Sequence, residues 1–422
     1  MAFKIALSGL NAAATDLSVT GNNIANSSTV GFKESRTEFA DVFAASFGGI
    51  SKTAVGAGVR VAQVSQQFDQ GQLDFTGNAL DIAVNGQGFL IFSDSGSRVF
   101  SRNGAMQLDR DGYIVNANNQ RLQVYDVVDP NVPSFNTGSL VDLQLFTGDA
   151  PPQATTSVQA LINLSAQDTP TGDPVVPVPI DPATPTTYNY STSVNVYDSL
   201  GASHTATTYY QLVSTTAGAG STWNVAMTID GNLVPPTAPV AGAPNQSQID
   251  FDANGVLTTG MPITYTGWTP ATGAAPITLS YDYTGSTQYG DQYTVNGLTQ
   301  DGFTTGRLTS INIDETGVVY SRYTNGQAIP LGKVALGDFA NPQSLQQLGD
   351  NVWAETFGAG DLQLGEAGAG SFGLIQSGSL ESSNVDISEQ LVNLITAERN
   401  YQANAEVIQT ADAITQTIIN LR

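Results

Sequence analysis

The chain has 422 residues, 12% of them charged, with a formal net charge of −23 and a sequence isoelectric point near 4.1. A field of that sign repels phosphate backbones and anionic lipid, which sets nucleic-acid binding aside. With no cysteine and one histidine, His204, disulfides, thiolate metal sites and Cys nucleophiles are excluded, and a His-based zinc site or a Ser-His-Asp triad needs more imidazole or a better context for this one.

At the N-terminus, Phe3, Leu7, Leu10, Ala14, Leu17, Gly21 and Ile24 recur at alternating spacings of four and three. That heptad stripe predicts an amphipathic helix. The same segment has one Lys and no continuous apolar run, so it reads poorly as a signal peptide, and no stretch of the chain reaches the roughly 18 apolar residues of a membrane span. The abundance of neutral polar residues nevertheless has the look of a secreted, β-rich protein. Residues 31–75 read as an extended connecting segment, in which Gly48-Gly49 and Gly56-Ala-Gly58 suit a bendable strap. Phe39 and Phe43 in this stretch have the spacing of a helical i, i+4 pair.

The middle of the chain turns to strands. Ile277, Leu279, Tyr281 and Tyr283 alternate with polar residues, as do Tyr188 and Tyr190, and Val194 and Val196. Turn dipeptides punctuate it at Asp111-Gly112, Asp230-Gly231, Asn254-Gly255, Asn296-Gly297, Asp301-Gly302 and Asn325-Gly326. From Leu122 to Gly306 there is no Lys, Arg or Glu, and Pro-rich runs sit at Pro151-Pro152 and Pro174–Pro179. This composition marks a central domain over 153–288, bracketed by two halves of another domain at 76–152 and 289–379. Many of the Asp residues of that span lie beside Gly or Asn, as turn residues do, and none follows a calcium-loop spacing.

The C-terminus repeats the N-terminal pattern. Ile387, Leu391, Leu394, Tyr401, Ala405 and Ile408 form a stripe that Glu398 interrupts, and Ala411, Ile414, Ile418 and Leu421 carry it onward. Asp386 followed by Glu389 resembles a capping box at its start. An isolated amphipathic helix is marginal in water, so both stripes need a partner: a globular core, each other, or a second subunit.

Four segments resemble the rod and hook proteins, the axial proteins of the bacterial flagellum. They are Asn22-Asn-Ile-Ala-Asn-Ser-Ser-Thr-Val-Gly-Phe-Lys33, then Thr76 to Phe89, then Phe100-Ser-Arg-Asn-Gly104 through Tyr113, and finally Ser382-Ser-Asn-Val-Asp-Ile387 with Ala397-Glu-Arg-Asn-Tyr-Gln-Ala-Asn404. They occur in the family's order and cover both ends of the chain. The length, the segment from Ser193 to His204, the segment from Asn325 to Pro342 and Asp350-Asn-Val-Trp-Ala-Glu355 resemble the hook branch rather than the shorter rod branch.

The resemblance implies a mainly β, multi-domain fold, with small β-sheet or barrel-like domains strung in line and terminal helices, 1–30 and 380–422, pairing as a coiled coil. It implies a non-enzymatic structural subunit with no catalytic residue and no cofactor, whose ends order on assembly and whose stripe residues meet neighbouring subunits. The expected product is a curved extracellular tube acting as a universal joint. Its expected partners are further copies, the distal rod protein, the hook cap, hook-filament junction and hook-length control proteins, and a type III export gate that engages Phe39 and Phe43. Two other classes stay open on the residues alone. A secreted carbohydrate-active or protease-like enzyme needs paired carboxylates in a cleft. An adhesin-like module would explain the middle of the chain but not its matched ends.

Overall fold

The computed structural model describes residues 2–42, 56–129, 134–145, 148–173, 178–259 and 261–420, the side chains of Ala2 and of 418–420 excepted. Two long helices stand at the ends, α1 (Ala2–Ala25) and α2 (Ile387–Asn420), and the chain between them is built of strands and turns. It divides into two compact units. The first comprises Met1–Thr147, Thr309–Arg322 and Ala328–Arg422, and the second comprises Gly148–Leu308 and Tyr323–Gln327.

The main sheet of the first unit runs, in spatial order, through Val318–Tyr323, Ala328–Asp338, Arg121–Asp129, Phe89–Asp94, Ser97–Ser101, Val352–Ala354 and Gln346–Gly349. Its central strands are apolar on both faces. In Phe89-Leu-Ile-Phe92, Leu90 and Phe92 enter one core with Leu122, Val124, Val334 and Leu336. Phe89 and Ile91 enter a second core with Phe100, Tyr125, Phe339 and Trp353. A continuous apolar run is what the two-residue period of a strand requires when both faces are covered.

The second unit packs two sheets against each other. One contains Ile263–Trp268, Ile277–Asp282, Ser157–Ser165, Thr287–Tyr289 and Thr294–Gln300; the other contains Tyr190–Tyr197, Ser203–Thr216, Gly220–Ile229, Asn232–Val234 and Gln246–Phe251. Alternate residues of both sheets, among them Val158, Ile162, Leu279, Tyr281, Tyr210 and Trp223, fill one shared core.

One turn design recurs in both units. Asp109, Asp198, Asp252 and Asp314 each open an Asp-x-x-Gly sequence, and each carboxylate Oδ1 accepts the backbone N–H groups two and four residues on. The glycines, Gly112, Gly201, Gly255 and Gly317, all have φ between +76° and +86°. A side chain at that φ is strained, so the hairpin is written in the sequence by its Asp and its Gly together.

Three sequence expectations need correction. The boundary expected at 288 falls inside the second unit, because Thr294–Gln300 pairs antiparallel with Val158–Asn163 and completes its sheet. Asn296-Gly297 lies within that strand, beside a bulge at Leu161/Ile162, and is not a turn. The segment 31–75 is not merely an extended strap: β1 (Ser35–Asp41) and β2 (Val59–Gln66) pair antiparallel. Gly56 to Gly58 closes onto Val42 through two backbone hydrogen bonds. Gly58, at φ +116°, is needed for close approach, since a Cβ there would lie 2.2 Å from Ser8 Oγ on α1. Gly48-Gly49 and Phe43 lie outside the described residues.

Candidate assembly site

The two helices run antiparallel, in a register fixed at two points. Asn23 Nδ2 donates to Gln390 Oε1 at 3.1 Å, and a Cβ on Gly9 would lie 2.5 Å from Asn404 Oδ1. The same register brings the start of α1 beside Ala411, so α2 continues past it. The face of α1 turned inward carries Ala6, Gly9, Ala13, Thr20 and Asn23. This is a heptad of small and polar residues, displaced by one position from the apolar stripe. Its facing residues on α2 follow the same spacing: Gln390, Leu394, Ala397, Tyr401, Asn404, Ile408 and Ala411. Because the seam passes through Ala397, Glu398 points away from it and does not interrupt it.

The described side chains of the expected stripe are therefore left exposed or half-buried. On α1, Phe3 and Leu7 are 48% and 41% exposed, and Leu10, Ala14, Leu17 and Ile24 are half-buried. On α2, Ile387, Leu391, Tyr401 and Ile414 are exposed, and Leu394, Ala405 and Ile408 are half-buried. Val392, at 63%, and Ile395 add to the exposed face and were absent from the expected stripe. Ile418 lies in α2, but its side chain, like the whole of Leu421, is outside the described residues. Phe39 sits in β1 opposite Val61, half exposed, at a bulge, which removes the helical reading of its spacing with Phe43.

Below the helix pair lies a polar clasp. Asn23 grips the backbone of Ser35 in both directions, donating to its carbonyl at 2.8 Å and accepting its N–H at 3.0 Å. Gln390 Nε2 donates to Glu34 Oε1 at 2.8 Å, and Asn384 Oδ1 accepts the Glu34 N–H at 2.7 Å. Burial raises the Glu34 carboxyl above its ordinary range, with the Gln390 bond acting against it. Asp386 caps α2 through the N–H groups of Ser388 and Glu389.

Deeper still, three charges from distant parts of the chain meet. Glu381 accepts Lys33 Nζ at 2.6 Å, Gly71 N–H at 2.9 Å and Arg102 Nη1 at 3.1 Å. Lys33 also donates to the carbonyl of Asp69, and Arg102 to that of Gly86. Burial lowers the Lys33 ammonium below its usual range, and Glu381 opposes that shift without cancelling it. The glycines of the same segments permit the contact. A Cβ on Gly31, at φ +69°, would lie 2.6 Å from Asn103 N, and one on Gly104 would lie 1.7 Å from Ile82 O. Residues that the sequence presents as four separate motifs thus converge on one junction. Glu381 itself, one position before the fourth motif, was not singled out; its signal was a lone Glu where Arg102 and Lys33 needed an anion.

Comparison with known proteins gives a consistent set of likenesses. Family models match residues 3–33 (Flagella basal body rod protein), 83–144 (Flagellar hook protein FlgE/F/G D1 domain), 163–303 (Flagellar basal body protein FlaE D2 domain) and 376–421 (Flagellar basal body rod FlgEFG protein C-terminal). The chain is 38% identical to the flagellar hook protein FlgE of Escherichia coli K12 over 428 residues, covering all of both chains. It is 38% identical to that of Salmonella typhimurium LT2 over 434 residues, again covering all of both. The crystal structure of the Helicobacter pylori flagellar hook protein FlgE2 matches its fold with a TM-score of 0.56 at 15% identity, over 73% of this chain and 100% of the other.

Proposed function

The chain belongs to the flagellar hook protein family, and from that premise we infer that it is a structural subunit of the bacterial flagellar hook, acting by polymerisation with copies of itself. The observation that carries this reading is the division of labour on the two helices. Within one chain α1 packs through Ala6, Gly9, Ala13, Thr20 and Asn23 against Gln390, Leu394, Ala397, Asn404 and Ile408 of α2, while Phe3, Leu7, Leu391, Val392, Ile395 and Ile414 stay exposed. An apolar face of that length is a cost to a solitary chain and an interface to a polymer.

In this reading the helix faces of neighbouring copies associate around the inner wall of a tube, as a helical, heterologous assembly. The tube is curved, lies outside the cell and transmits rotation as a universal joint, with polar contacts elsewhere on the subunit allowing copies to slide. It joins the distal rod protein at one end and the hook-filament junction protein at the other, with the hook cap and length-control proteins acting during growth. The chain leaves through the type III export gate without a cleaved signal peptide, with Phe39 and Phe43 as the gate-binding pair. No part of this reading asks for catalysis.

Electron microscopy of the purified chain under salting-out conditions tests it. Short-pitch curved tubes are expected from the native chain, and Leu7→Asp or Ile395→Asp should abolish them while the β units stay folded. Straight rigid tubes would point to a rod protein, and melting of the β units in either variant would overturn the interface assignment.

A further inference from the structure

The one histidine of the chain occupies a site that the assembly reading does not use. His204 is the second residue of the strand Ser203–Thr216 in the second unit. Its Nδ1 lies 2.7 Å from Asp230 Oδ2 and its Nε2 lies 3.3 Å from Asp198 Oδ2. A neutral imidazole has one N–H and can donate to only one of these carboxylates, whereas the imidazolium donates to both. The acceptors are themselves fixed. Asp198 is fully buried, and it also accepts Leu200 N–H, Ala202 N–H and Thr272 Oγ1. Asp230 Oδ1 accepts Thr205 N–H, and the Trp268 ring meets the imidazole edge-on at 4.8 Å.

The location gives the ring leverage. Asp198 belongs to the turn 198–202, and Asp230 to the turn joining Gly220–Ile229 with Asn232–Val234. The first turn rests on the two segments by which the chain enters and leaves the stretch Gly148–Leu308: a Cβ on Gly201 would lie 2.8 Å from Pro152 and 3.3 Å from Thr305 N. Those segments are joined by isolated antiparallel bridges at Ala150 and Gly306 and at Gln153 and Phe303.

We propose that His204 is a protonation-dependent latch, which when charged ties the turn 198–202 to the 229–232 hairpin at the base of the second unit, and when neutral lets go of one of them. Among the described residues, the titratable groups facing the ring are Asp198 from its own approach turn and Asp230 from the hairpin; Trp268 and Thr272, from the remaining packed segments, carry no charge. Burial alone would lower the imidazolium, but the hydrogen bonds and charges of Asp230 and Asp198 outweigh it and hold the ring above its ordinary range. Both carboxyls are held below theirs, their hydrogen bonds outweighing their burial. The stability that the latch contributes is therefore fully present below about pH 6.5, the unperturbed histidine value, and is lost as pH rises through the raised one. On the acid side it persists until the two carboxyls protonate, below the usual Asp range.

Because the chain has a single histidine, 15N-labelled histidine gives one imidazole spin system in the full chain. Its titration midpoint should lie above about 6.5, with both ring nitrogens protonated below it. Asp230→Asn, at the solvent side of the site, should move the midpoint down, and His204→Gln should remove the loss of second-unit stability between neutral and alkaline pH. A midpoint at or below 6.5, or one that Asp230→Asn leaves in place, would overturn the latch even if His204→Gln fails to fold. None of these outcomes depends on whether the chain polymerises.

Discussion

Lys33 and Glu381 are 348 residues apart in sequence, yet their Nζ and Oε1 atoms meet at 2.6 Å with both side chains wholly buried. The contact joins the start of the segment that follows α1 to the end of the one that precedes α2. Both helices are thereby tied to the same point of the first unit.

Glu381→Gln should be the most damaging single change at this junction. It leaves Lys33 and Arg102 buried without their shared anion, at a cost of about 3–5 kcal/mol. Lys33→Met should cost less, because Glu381 keeps Arg102 and the Gly71 N–H. Urea unfolding read from Trp353, buried in the first unit, measures both, with the second unit's transition as an internal reference.

Gly9 and Gly21 should respond oppositely to substitution. Gly21 has open space where a Cβ would sit, so Gly21→Ala should stabilise α1 by about 0.8–1 kcal/mol through helix propensity alone. Gly9→Leu has nearly the same propensity gain but drives into Asn404, so the helix pair should separate. Thermal melts of the helical circular-dichroism signal distinguish them: an upward shift for both would show that the helices are not in contact at Gly9.

Trypsin should leave one large fragment, Leu122 to Arg307. There is no Lys or Arg between those limits, and the sandwich core of the second unit lies inside them. Mass spectrometry identifies the ends, and the fragment should unfold cooperatively with blue-shifted emission from Trp223. Red-shifted emission would mean that the second unit's core depends on residues outside the fragment.

The Asp-x-x-Gly turns make a separate prediction. Asp314→Ala removes the acceptor for the N–H groups of Thr316 and Val318 and should cost about 1–2 kcal/mol. Asp314→Asn keeps an oxygen in place and should cost appreciably less. Equal losses in chemical denaturation would assign the effect to charge rather than to the hydrogen bonds.

Some of this architecture is legible from residues taken singly or in short windows. The heptads announce both helices, the two-residue alternation from Ile277 to Tyr283 announces a buried strand, and Asp111-Gly112 and Asn254-Gly255 announce their turns, because helix, strand and turn are set by contacts a few residues apart. The absence of Lys, Arg and Glu from 122 to 306 sets apart the middle of the chain, where the second unit lies at Gly148–Leu308. The boundary expected at 288 missed the return strand Thr294–Gln300, whose membership depends on pairing with Ser157–Ser165 and not on composition.

What the sequence determined by itself is that both ends carry an apolar stripe, that the chain has no cysteine and a single histidine, and that its motifs are those of the flagellar axial proteins. Only the tertiary structure decided which side of each helix is used within the chain. Periodicity fixes that a stripe exists but not what covers it; close approach of two backbones favours Ala and Gly, so α1 turned its small residues toward α2, and Phe3, Leu7 and Val392 were left outward. The same holds for the charges. Lys33, Arg102 and Glu381 have no reason to attract notice one by one, and burying any of them becomes tolerable only where the fold brings all three together.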